Sequence, residues 1–179
     1  MVNPFVALDR LLLDGVAQRI ADWVQIRWGK TCFWLQKQTV TLAFALYVLW
    51  AILDSIQRPL DVDTWSVIFA GFKLASVVLL LAIGPSLYRM IDAQEEQVLN
   101  SRQANPRRVR DVFVRLNMVF VAAVSDIVYL AGPDPFRLDN YAFAGYMTTL
   151  AAVGYFAACT PRPPAPAVRS AVPSLRTAA

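Results

Sequence analysis

Four long apolar blocks, residues 38–56, 65–87, 112–130 and 141–159, alternate with short charged segments along this chain. At about 1.5 Å of helical rise per residue, each block is long enough to cross a hydrocarbon layer of roughly 30 Å. The second block, WSVIFAGFKLASVVLLLAIGPSL, is the clearest: it is almost wholly apolar and holds one charge, Lys73. The pattern predicts an all-α integral membrane protein with four transmembrane helices. A turn through Pro59, Asp61 and Asp63 separates the first two blocks, and Gly132-Pro133-Asp134-Pro135 separates the last two. Between blocks two and three, Asn105-Pro106 reads as a helix start, with asparagine as the cap and proline in the first helical position.

The segment before the first block, residues 1–37, has a different period. Phe5, Leu12, Val16, Ile20 and Trp23 recur at spacings of three, four or seven, whereas Arg10, Asp14, Gln18, Asp22 and Gln25 fall roughly opposite. That is an amphipathic helix, with Asp9 and Arg27 breaking the pattern at its two ends. Charges interrupt every apolar run here, so no signal peptide is expected. Trp28, Phe33 and Trp34 lead into the first block past a bend at Gly29-Lys30, which places the helix in the membrane interface. After the fourth block, residues 160–179 are rich in proline, alanine and serine with little to bury, and a disordered tail is expected.

Composition agrees with the pattern. The 179 residues are 57% hydrophobic with a mean hydropathy of +0.44, more apolar than an ordinary soluble domain. The net charge of +4 is distributed by segment. Arg10, Arg19, Arg27, Lys30 and Lys37 precede the first block; Arg89, Arg102, Arg107, Arg108 and Arg110 follow the second; Arg162, Arg169 and Arg176 follow the fourth. The other two connections hold only Arg58 and Arg137 and are acidic. The positive-inside rule then puts both termini in the cytoplasm. Arg107, Arg108 and Arg110 sit at a helix start, against the helix dipole, where contact with anionic lipid headgroups accounts for them better than nucleic acid does. Lysine occurs only at positions 30, 37 and 73, and this arginine bias with short outer loops suggests a bacterial inner membrane.

Candidate chemistry is sparse. There is no histidine, which removes Ser-His and Cys-His catalysis and histidine metal sites. Cys32 and Cys159 match no metal spacing and are expected as free thiols. Asp61 and Asp63 form a D-x-D without supporting residues, read as an acidic turn and not as a metal site. No catalytic residue, metal site or cofactor is expected.

A charge at the centre of a membrane helix costs roughly 2.5–3.5 kcal/mol by insertion scales, so Lys73 and Asp126 stand out. Both fall in the outer half of antiparallel spans, which predicts a buried Lys73–Asp126 pair, with Asp54 near enough to join. Arg115 is expected to reach the headgroups. Gly154 and Ala158 form a small-xxx-small pair, either packing within the chain or serving an interface. These features favour a non-enzymatic accessory or assembly subunit of a membrane complex, with a protein partner or a homo-oligomer beside the lipid bilayer. The alternative is a small oligomeric channel, holin-like pore or transporter that uses Lys73 and Asp126.

Overall fold

The computed structural model describes residues 4–57, 64–101, 105, 107–131 and 137–162, and everything described is helix or short connection, without a strand. The N-terminal arm comprises α1 (Pro4–Leu12), a π-helical turn (Leu13–Ala17) and α2 (Gln18–Trp28). Four longer helices follow: α3 (Cys32–Gln57), α4 (Thr64–Ser101), α6 (Val112–Leu130) and α7 (Leu138–Ala158), with the four-residue α5 (Arg107–Arg110) leading into α6. The two proline- and aspartate-bearing turns, with Asp61, Asp63 and Asp134, and the tail from residue 163 lie outside the described residues.

Three helices, Cys32–Gln57, Ser66–Asn100 and Val112–Leu130, are long and apolar enough to cross a membrane. The third coincides with the block read from sequence. The second runs through Gly84-Pro85 without ending, because helix formers on both sides carry it on to Ser101. The fourth block is helical but is not among the three. Three tyrosines and two threonines dilute its hydropathy.

The helices pack as a row, α4–α3–α7–α6, in which α7 is sandwiched between α3 and α6. Its small residues permit the close approach: Ala142, Ala144, Ala151, Ala157 and Ala158 are all buried. A side chain added at Gly145 would meet Leu46 of α3 at 3.4 Å, and one added at Gly154 would meet Met118 of α6 at 3.1 Å. Thus Gly154 and Ala158, the small pair noted in the sequence, are spent on packing inside the chain, with Ala158 at 1% exposure.

The hydrophobic core lies at one end of the row, where the arm folds across it. Leu13, Ala17 and Ala21 join Cys32, Phe33, Ile91, Val98, Phe156 and Cys159 there. Gly29 makes this possible: its φ of 65° and an N–H to Gln25 O bond of 3.0 Å close α2 in a left-handed cap and turn the chain into α3. Of the apolar stripe read from sequence, Phe5, Val16, Ile20 and Trp23 are exposed, whereas Leu12 packs against the core. Cys32 and Cys159 are free and buried against each other's helices, the Cys32 thiol donating to the Cys159 carbonyl at 3.6 Å.

Candidate functional site

The most heavily built polar cluster is at the capped end, around Arg115. This residue stands one turn into α6 and is 1% exposed. Its guanidinium makes a bidentate pair with Asp9 of α1, Nε to Oδ1 at 2.9 Å and Nη2 to Oδ2 at 2.5 Å. Nη1 donates to the Arg107 carbonyl at 2.8 Å and Nη2 also donates to the Arg108 carbonyl at 2.9 Å. The Tyr155 ring lies 5.7 Å from the guanidinium carbon. A planar fork fits this set of a carboxylate and two carbonyls in a way that an ammonium would not. The sequence expectation that Arg115 reaches out to headgroups is therefore corrected: it turns inward and ties the arm to α6. Asp9, which broke the amphipathic pattern, is the residue it takes.

Asn105 organises the same region. It is 1% exposed and its Oδ1 accepts the Arg107 N–H at 3.1 Å, which is the cap expected from Asn105-Pro106. Its Nδ2 donates to the carbonyls of Ala157 and Cys159, at 2.8 and 3.0 Å, so one amide starts α5 and finishes α7. Gln94 of α4 adds a second donor to the Ala157 carbonyl at 2.9 Å.

The chain leaving α7 is then captured by α2. Gln18 Nε2 donates to the Thr160 carbonyl at 2.9 Å while its Oε1 accepts the Thr160 N–H at 3.0 Å. Gln25 repeats the arrangement on Arg162, with both distances 2.9 Å, and Asp22 takes the Arg162 guanidinium at 2.8 Å. Each amide side chain thus acts as a piece of backbone. The polar face of the arm is a rail for residues 160–162, the first three residues of the segment expected as a disordered tail.

The basic cluster is partly committed. Arg108 pairs with Asp14 of the arm, and Arg110 Nε bonds Asp111 at 3.0 Å. No carboxylate among the described residues pairs with Arg107.

At the other end of the row the charges on the apolar helices sort differently from the sequence expectation. Lys73 pairs with Asp54 of α3, and its Nζ lies 5.6 Å from the centroid of the Trp50 ring. It does not pair with Asp126, whose Oδ2 accepts the Thr148 hydroxyl at 2.9 Å and whose Oδ1 is buried without a partner. The reason is lateral order: α4 packs on α3, α6 packs on α7, and α4 and α6 make no substantial contact. The Lys73–Asp54 pair is one rung of an antiparallel seam that continues through Phe44 and Gly84, Thr41 and Tyr88, Lys37 and Asp92, and Thr31 and Glu95. Beside it, Trp50, Phe143, Tyr129 and Tyr146 stack with ring centroids 4.4–6.0 Å apart, filling the space between α3, α6 and α7. At the start of α7, burial alone would raise the Asp139 carboxyl; two hydrogen bonds and the charge of Arg137 outweigh it and hold the group below its ordinary value.

No protein-family model, curated protein or solved structure matches the chain. Its class rests on its own features: the described residues are helical, three helices among them are long and apolar enough to span a membrane, and a polar clamp closes one end.

Proposed function

We propose that the protein is a non-enzymatic accessory or assembly subunit of a membrane complex, with α4 as the helix its partner grips. One observation carries this reading. α4 packs along α3 and meets α7 and the arm near its far end, through Gln94, Ile91 and Val98, and Gly71, on the side away from these contacts, has nothing within 4 Å of the position a side chain would take. Ala75, one turn on, is exposed too, so Gly71-xxx-Ala75 is an open small-residue notch flanked by exposed Val67, Ile68, Phe72 and Leu74. Within a bilayer, helices associate through close packing, since lipid already satisfies apolar surface. A notch of this kind gains from a second helix what it cannot gain from acyl chains. Gly154 and Ala158 are occupied within the chain, whereas Gly71 and Ala75 are open.

The polar groups support the non-enzymatic part. Asp9, Arg115, Lys73, Asp54 and Asp126 each bond to another part of the fold, with Asp54 and Lys73 committed to one another and Asp126 to Thr148. The channel or transporter reading, which needs Lys73 and Asp126 along one path, has less support, since they stand on opposite sides of α3 and α7. In the same reading α7 is a fourth span between its neighbours, the arm lies in the interface with Phe5, Val16, Ile20 and Trp23 toward lipid, and the arginine-rich capped end faces the cytoplasm of a bacterial inner membrane.

The test is native mass spectrometry of protein extracted in mild detergent, compared with a Gly71→Ile variant. A defined foreign protein retained by the wild type and lost from the variant is the expected result. A homo-oligomer broken by the same change would move the reading to a self-assembling pore. Wild-type monomer without any protein partner would overturn it.

A further inference from the structure

Docking of the N-terminal arm sorts its charges by sign. Over α1, the π-helical turn and α2 the arm holds three aspartates, Asp9, Asp14 and Asp22, and three arginines, Arg10, Arg19 and Arg27, so it is neutral by sequence. In the fold each aspartate is taken by an arginine from the rest of the chain: Asp9 by Arg115, Asp14 by Arg108 and Asp22 by Arg162, the last at 2.8 Å. Arg10, Arg19 and Arg27 are exposed, as is Lys30 just past the Gly29 cap, and no carboxylate among the described residues pairs with any of them. A helix with no net charge of its own thus presents its unpaired charge as cations alone.

Two of these cations adjoin the exposed apolar stripe. Arg19, Trp23 and Arg27 are four residues apart and form one row on successive turns, all three exposed. Val16 and Ile20, also exposed, lie one turn before Arg19 and Trp23. The stripe is carried through the arm by the π-helical turn Leu13–Ala17. Leu8, Leu12, Val16 and Ile20 recur every four residues, a spacing that drifts around an α-helix by about 40° a step, and the wider turn takes up part of the drift. At its end the Trp28 ring lies 5.2 Å from that of Trp23 and 6.3 Å from that of Trp34, which joins the stripe to α3. Apolar side chains beside unpaired cations suit acyl chains under negatively charged headgroups. We propose that the arm is an anchor that selects anionic phospholipid, with Arg19 and Arg27 against the phosphates and Val16, Ile20 and Trp23 among the upper acyl carbons. This selectivity rests on the interfacial placement of the arm inferred above and adds the class of lipid. The three Asp–Arg pairs make the choice possible, since they neutralise the carboxylates that would repel such a lipid.

The full chain carrying Ile20→Cys, labelled there with a fluorophore and reconstituted into equimolar phosphatidylglycerol and phosphatidylcholine vesicles, tests it. Cys32 and Cys159 are 1% and 0% exposed, so the label goes to the introduced thiol. Bromine is placed on the acyl chains of one lipid or the other, and quenching reads which lipid borders the stripe. An arginine near an anionic surface gains about a factor of five, so brominated phosphatidylglycerol should quench about fivefold more efficiently than brominated phosphatidylcholine. Arg19→Gln with Arg27→Gln, both exposed and unpaired, should bring the two lipids to parity without moving the unfolding transition. In about 1 M salt, where the Debye length is about 3 Å, the wild-type preference should shrink as well. Equal quenching by both lipids would overturn the selectivity and leave the arm in the interface. A preference that survives both the loss of the two arginines and high salt would also overturn it. Quenching by neither lipid would place protein against the stripe and overturn the interfacial placement together with the selectivity.

Discussion

Asp9 and Arg115 are 106 residues apart in sequence and form a bidentate ion pair with both side chains almost fully buried. The pair fastens the N-terminal arm across the end of α6, and the carbonyls of Arg107 and Arg108 absorb the remaining guanidinium donors. Removing one member strands a buried charge, which costs about 3–5 kcal/mol. Asp9→Ala and Arg115→Ala should each destabilise the protein by that amount, measured by unfolding in mixed micelles. Asp9→Leu with Arg115→Met should be milder than either. A double variant as damaged as the singles would show that the carbonyl contacts of Arg115, and not the pair, hold the arm.

The charges at the opposite end of the row give a prediction about partners. Lys73 and Asp54 should show a coupling energy between about 0.5 and 3 kcal/mol in a double-mutant cycle, and Lys73 with Asp126 should show none. Asp126→Asn should be tolerated better than Asp54→Asn, since Thr148 can still donate to the amide oxygen. Coupling between Lys73 and Asp126 would contradict the packing order α4–α3–α7–α6.

Two glycines should behave oppositely. A leucine at Gly154 is forced against Met118 and should destabilise the fold by about 1–3 kcal/mol while leaving association unchanged. A leucine at Gly71 enters open space and should leave the unfolding transition where it is while changing what copurifies. The two readouts, micellar unfolding and native mass spectrometry, separate packing within the chain from packing between chains.

The rail on α2 is visible to hydrogen exchange. The Arg162 N–H is held by Gln25 and the Thr160 N–H by Gln18. Gln25→Leu should speed exchange at Arg162 about tenfold, equivalent to the roughly 1.4 kcal/mol of a good hydrogen bond, with a smaller effect at Thr160. Unchanged exchange at Arg162 would mean that Asp22 and the guanidinium hold the segment instead.

The sequence by itself determined the helical class, three of the four apolar blocks it read as spans, the Gly29 bend and the Asn105 cap. These are local properties: a run of apolar residues, a left-handed glycine and a cap side chain act over a few neighbours, so position in the chain suffices to read them. The tertiary structure decided which polar residue meets which. Depth along a span can be counted from sequence, and it put Lys73 and Asp126 at similar levels; sideways order cannot be counted, and it gave Lys73 to Asp54. Asp9 and Arg115 were legible only as defects, one in an amphipathic stripe and one in an apolar block. Each is costly alone, and only the fold brings them together, because the arm doubles back from Gly29 and lays its polar positions over the end of α6 and α7.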